Sequence, residues 1–284
     1  MLSLFHPVEL LLKRLYRFDE PAVVRDRPMQ VLALGLSRCG TESLKFALED
    51  LGYRGVYHGF EVKADQCMVW SRLWDAKAAR GSDMKIETDV FDKLIGNYEA
   101  VTDAPCNMFG KELIEAYPDA KVILNRRKDV DAWDQSFRSA LLKNLRDSWW
   151  LKALSISSPD YFWLRQITLR YVIGYFNGSF EKHGLDVYRA HYRQLEDMMG
   201  EGKYLEWTVE DGWEPLCAFL GKPVPEKAFP SGNTPPAFAK RIAELRKPQY
   251  RHARINVAKT LGVVIAAGVA VWMAYARLDW IAME

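Results

Sequence analysis

Apolar residues along the chain fall into two alternating spacings. Short runs at 31–34, 53–58, 99–103, 121–125 and 204–209 have the character of strands. The runs VLAL at 31–34 and VIL within 121–125 are apolar without alternation, the pattern of strands buried on both faces of a parallel sheet. Between them, apolar positions recur three and four apart. Leu44, Leu48 and Leu51 predict a helix over 42–51 that Gly52 stops. Val62, Met68, Val69, Leu73 and Trp74 predict another over 60–80. A capping pattern at 87–91 leads into a helix through 91–95, and 109–117 is helical up to Pro118. Strands alternating with helices predict an α/β domain, a parallel sheet covered by helices, over residues 28–240.

Two stretches depart from that alternation. Residues 130–200 are helical throughout and rich in aromatics, a helical insertion. Most of these rings belong to the core, and the part from Trp149 to Trp163, interrupted at 155–159, is suited to a lid over an apolar acceptor. Residues 1–27 read as a helical lead-in broken by Asp26, Arg27 and Pro28. Its apolar patch at 8–12 contains Glu9 and follows no basic stretch, so it fits a helix packed on the domain better than a secretory signal.

At the C-terminus, 260–276 (TLGVVIAAGVAVWMAYA) carries no charge and is bracketed by Lys259 and Arg277. That length is at the short end of the range of about 17–25 residues that spans a bilayer. Trp272, Tyr275 and Trp280 lie near its far end, where an aromatic belt belongs. The preceding stretch, 241–259, is a basic linker with Arg241, Arg246, Lys247, Arg251, Arg254 and Lys259, whereas beyond the run Arg277 is offset by Asp279 and Glu284. The expectation is a single-pass tail anchor with the domain in the cytosol. The competing readings are an apolar helix packed on the domain, and a homodimer contact through Gly262, Ala266 and Ala270.

A net charge of +2 gives no signal for a polyanion, so no nucleic-acid partner is expected. Cys39, Cys67, Cys106 and Cys217 form no CxxC or Cys/His grouping, so they read as reduced, buried thiols and imply no metal site.

The chemistry concentrates after the first strand. Ser37-Arg38-Cys39-Gly40-Thr41-Glu42-Ser43 joins that strand to a helix, with Gly35 and Gly40 framing the turn. Loop amides and a helix N-terminus converge on an anion in such a unit, and Arg38 adds a charge-assisted bond. The spacing is that of a nucleoside-triphosphate loop, but Thr41 stands where the lysine belongs, which favours a single terminal phosphate. A second cluster, Arg126, Arg127 and Lys128, follows the fourth strand, with Ser136 on the next helix, a set able to grip a phosphate monoester. Arg127 and Ser136 are the stronger candidates there. His58, closing the second strand, is a candidate general base.

The 37–43 loop resembles the 5′-phosphosulfate loop of sulfotransferases. The run from 31 to 58 resembles the sulfotransferase-like family common in fungi, with its Gly-x-x-Arg-x-Gly-Thr-x-Ser-Leu loop. Gly212-Trp213-Glu214-Pro215-Leu216-Cys217-Ala218-Phe219-Leu220-Gly221 and 229–233 resemble that family's C-terminal signature. The resemblance implies a P-loop-type α/β fold and 3′-phosphoadenosine-5′-phosphosulfate as co-substrate. Arg126, Arg127 and Ser136 are similar to the family's 3′-phosphate motif, shifted by one or two residues. Thr102-Asp103-Ala104-Pro105 looks similar to its Thr-His-x-Pro segment, which makes Asp103 the leading base, with Arg38 stabilising charge on the bridging atom. Arg38 replaces the lysine of the cytosolic enzymes, and Ser43 their adenine-stacking tryptophan. The implied reaction is sulfuryl transfer to the hydroxyl of a small alcohol or phenol, with no metal. The alternatives are a nucleotide-binding relative with lost or altered chemistry on a small metabolite, and a phosphotransferase using a nucleoside triphosphate.

Overall fold

The computed structural model describes residues 6–81, 84–143, 155–231 and 235–281. Five parallel strands, β1 (Val31–Ala33), β2 (Val56–Tyr57), β3 (Ala100–Thr102), β4 (Lys121–Asn125) and β5 (Tyr204–Trp207), form one sheet in the order β2-β3-β1-β4-β5. Val31 is in register with Ala100 on one side and Lys121 on the other, which makes β1 the central strand.

Strand side chains alternate between two apolar layers. Leu32, Val101, Val122 and Leu124 join one cluster, and Val31, Ala33, Ala100, Ile123 and Trp207 join the other. Burial on both faces explains why the strands read as unbroken apolar runs. The smaller layer is completed by α2 (Thr41–Asp50) through Leu44, Ala47 and Leu48. The larger layer takes α3 (Ala64–Arg80), α4 (Thr88–Ile95) and α5 (Gly110–Ala116), and then the insertion helices α6 (Val130–Phe137), α7 (Pro159–Leu169) and α8 (Phe180–Met199).

The insertion's aromatics are mostly core. Phe137 and Phe180 stack at 4.1 Å, and Trp133 contacts Phe176 and Tyr188. Phe162 and Trp163 are buried, whereas Trp149 and Trp150 lie outside the described residues. Residues 155–157 are helical, and the break falls at Ser158, which caps α7, its hydroxyl accepting from the Tyr161 amide at 3.3 Å. The signature segment forms α9 (Trp213–Leu220) and packs Trp213 and Leu216 on the smaller layer; Gly232 and Asn233 lie outside the described residues.

Among the described residues the lead-in is helical only as α1 (His6–Leu15). From 17 to 30 the chain has no regular structure and is tied down by Arg25, which reaches Asp92, Tyr98 O and Ile95 O. The basic stretch 241–259 and the apolar run form one helix, α10 (Pro235–Ile281). Within it Tyr250–Met273 is long and apolar enough to cross a membrane. Ala253 is buried against Tyr161, but from Leu261 to Met273 the described apolar side chains stand exposed, so this stretch is not packed on the domain. The side chains of Tyr275 and Trp280 lie outside the described residues.

Candidate active site

The chain passes from one side of β1 to the other between β3 and β4, which opens a crevice at the carboxyl ends of the central strands. The loop after β1 enters it through Gly35. A methyl group there would lie 1.9 Å from Asn125 O, so only glycine lets the loop pass under β4. Asn125 clamps both ends of the turn. Its Oδ1 accepts from the Gly35 amide at 2.9 Å and its Nδ2 donates to Cys39 O at 3.0 Å. Asn107 Nδ2 donates to Gly35 O at 3.1 Å.

The insertion supplies the remaining clamps. Tyr192 Oη accepts from the Leu36 amide at 3.2 Å, and Tyr171 Oη from the Ser37 amide at 3.0 Å. Trp133 Nε1 donates to Ser37 O at 3.0 Å. Arg38 and Gly40 then take left-handed backbone conformations (φ 75° and 73°) and turn the chain into α2. Gly40, at the helix N-cap, has no side chain to cap the first-turn amides, an arrangement suited to receiving an anion.

The glycine loop and the basic cluster after β4 meet. Arg38 Nε donates to Ser136 Oγ at 3.1 Å, and Arg127 reaches Arg38 O at 3.4 Å. Burial lowers the Arg38 pKa; Asp103 opposes that shift and the nearby positive charge of Arg127 adds to it. Two guanidiniums that disfavour each other near an uncapped helix form a site ready for an anion. Arg126 is placed differently. It pairs with Glu196 and Glu206 and lies over the Tyr192 ring, so its charge is already answered by carboxylates. Lys128 pairs with Asp211 at 3.2 Å. Arg127, Lys128, Tyr188, Thr208 and Asp211 help line a cavity of about 500 Å³ beside this cluster.

The two candidate bases form a dyad. Asp103 follows β3 with a left-handed backbone (φ 67°), and Gly59 packs so closely that a methyl there would meet Asp103 Oδ2 at 2.7 Å. Asp103 Oδ1 accepts from Ser37 Oγ, and Oδ2 lies 3.4 Å from His58 Nε2. His58 Nδ1 accepts from the Phe60 amide at 3.2 Å, which leaves the ring proton on Nε2, facing Asp103 and, at 3.3 Å, Thr41 Oγ1. His58 is 2% exposed and Asp103 13%. Burial pulls the His58 pKa down to about 4, against the opposing pull of Asp103.

The side chains of the other loop residues are turned into the protein in this arrangement. Burial pushes the Cys39 thiol up to about 12, and its Sγ faces Tyr192 Oη at 3.5 Å. Ser43 is buried in the first turn of α2. Glu42, also buried, pairs with Arg241 of α10, whose guanidinium lies 4.6 Å over the Phe60 ring. His191 lies on α8 but faces inward: Nε2 donates to Leu34 O at 2.8 Å and Nδ1 accepts from Tyr175 Oη at 2.6 Å. Sequence reasoning missed Asn107, Asn125, Tyr171, Tyr192, Trp133 and Arg241. The available signals were an amide closing an apolar strand, and tyrosines rather than phenylalanines at interior positions, whose hydroxyls need partners.

Burial pulls the His191 pKa to about 4 as well. Both rings are neutral when folded and take up protons more readily unfolded, where the ordinary value is near 6.5. The contribution of these two rings to stability is therefore fully present above pH 6.5 and is lost progressively toward pH 4, by roughly 3 kcal/mol for each ring. Thermal melting across that window checks this; an unchanged midpoint between the two values would exclude it.

Residues 30–238 match a family described as a sulfotransferase domain. The chain is also 30% identical over 258 residues to the Ava biosynthesis cluster protein M of Aspergillus versicolor, an alignment covering 88% of this chain and 98% of the relative.

Proposed function

We propose a sulfuryl-transfer reaction for this chain, which belongs to the sulfotransferase family. The donor is 3′-phosphoadenosine-5′-phosphosulfate and the acceptor is the hydroxyl of a small alcohol or phenol. The observation that carries this reading is the contact between Arg38 and Ser136, which joins the glycine loop to the basic cluster after β4. One phosphate is held by the amides of 40–43 and by Arg38, and a second by Arg127 and Ser136. The donor supplies the activated sulfuryl group; the chain binds the departing nucleotide and handles the acceptor's proton.

Asp103 takes that proton. The Nδ1 lone pair of His58 is already engaged by the Phe60 amide, and the ring is nearly inaccessible, so His58 orients the carboxylate. Arg38 answers the charge that develops on the bridging oxygen. The absence of a loop lysine and the paired state of Arg126 and Lys128 weigh against a triphosphate substrate. The apolar run of α10 lies in a bilayer as a single-pass anchor, and the excess of cations before it keeps the domain on the cytosolic side.

The full chain is expected to bind 3′-phosphoadenosine-5′-phosphate more tightly than ATP. Arg127→Ala is expected to erase most of the preference for that nucleotide over adenosine 5′-phosphate, by about 10-fold or more for the loss of a charged hydrogen-bonding partner. Calorimetry with the three nucleotides measures both. Equal or tighter ATP binding would refute the reading.

A further inference from the structure

Helix α1 buries one side and leaves another bare. Leu12 packs into the larger core cluster, and the Tyr16 ring lies against Phe162 at 5.7 Å. Val8, Leu11 and Leu15 are three and four apart, so they form one stripe, and they are 44%, 55% and 64% exposed. Such a stripe on water is costly unless something apolar covers it.

Its place in the fold identifies the cover. Tyr16 Oη donates to Ile156 O, and Trp163 Nε1 donates to Tyr16 O, which fixes the end of α1 to the start of the α7 region. The next residue in the chain holds α10: Asn256 Nδ2 donates to Ser157 O at 2.7 Å. Ile156, Ile255 and Val257 are all exposed at this junction. The bare stripe of α1 and the point where α10 leaves the domain are thus anchored to consecutive residues. Exposed cations flank both: Arg14 and Arg17 on the α1 side, and Arg251, Arg254 and Lys259 on α10. An apolar stripe bordered by cations is suited to the headgroup region of an anionic leaflet.

We propose that Val8, Leu11 and Leu15 of α1 lie in the interface of the lipid bilayer, beside the entry point of α10, so that the domain is held to the membrane at two places. This rests on α10 being an anchor. The occupant of the stripe is lipid, not a second protein surface.

All four native cysteines are buried, so a label can be directed to an introduced one. Full-length Leu11→Cys, Leu15→Cys, Val269→Cys and Glu226→Cys, each carrying an environment-sensitive nitrobenzoxadiazole, are reconstituted into phosphatidylcholine–phosphatidylserine vesicles with headgroup-level nitroxide lipid. Position 226 is in the exposed segment after α9. The expected result is a shift of emission to shorter wavelength with nitroxide quenching at 11 and 15, a shift at 269, and neither effect at 226. A shift at 269 alone would overturn the α1 proposal and leave the anchor intact. No shift at 269, 11 or 15 would remove the anchor and the proposal with it. A shift at 11 and 15 without quenching would mean a protein contact there, and would also overturn it.

Discussion

Asp103→Asn is expected to lower turnover by about 10²–10⁴-fold, the contribution of a positioned base, with little change in affinity for 3′-phosphoadenosine-5′-phosphate. The substitution keeps the side chain's shape and an oxygen for the Ser37 hydroxyl, so the loop stays in place. What it removes is the carboxylate proposed to receive the proton. His58→Gln is expected to act differently, with a smaller loss of rate, because His58 meets Asp103 through Nε2 and has its Nδ1 engaged by a backbone amide. Single-turnover rates with a panel of simple phenols and alcohols, alongside nucleotide titrations, separate the two. Full activity in Asp103→Asn together with a large loss in His58→Gln would move the base role to His58.

The second large effect is expected at a residue that holds the glycine loop in shape. Asn125→Ala should destabilise the fold by about 2–6 kcal/mol and weaken nucleotide binding in whatever fraction remains folded. Asn125 is fully buried, and its amide answers the Gly35 N–H and the Cys39 carbonyl. Alanine leaves both without their partner, and each unsatisfied buried group costs about 1–3 kcal/mol. Denaturant titration measures the first effect and calorimetry the second. A variant as stable as the parent, with unchanged affinity, would show that the glycine loop does not depend on this clamp.

Asn125 also marks the boundary of what the sequence makes legible. The strands, the glycine loop and its helix are local patterns, and the parallel sheet follows from their alternation. Arg38, Asp103, His58 and Arg127 could be singled out because each follows a strand at the end where ligands bind, and Ser136 as a hydroxyl on the helix after the fourth strand. That β4 lies directly beside β1, so that the residue closing one strand clamps the loop after the other, depends on strand order, which no local pattern encodes. The same holds for Tyr171 and Tyr192. Their spacing shows helix, but which loop amides they meet is decided by how the insertion packs. Charge alone did not separate Arg126 from Arg127 either. The difference comes from Glu196 and Glu206, on elements far along the chain. The stretch 241–259 reads as basic and unremarkable in local pattern, yet its first residue, Arg241, closes on the buried Glu42.

The tyrosines raise a question of self-protection. Under the proposed reaction, a catalyst that sulfates phenols while keeping Tyr171, Tyr188 and Tyr192 around its own glycine loop would risk modifying itself. Burial raises the pKa of each of these hydroxyls, so none provides phenolate near neutral pH. Their oxygens are also occupied, Tyr171 by the Ser37 amide, Tyr188 by the Arg127 amide and Tyr192 by the Leu36 amide. The hydrogen bonds that shape the loop are thus the same ones that engage the enclosing phenols, which under the proposed reaction leaves transfer to a hydroxyl that arrives from outside.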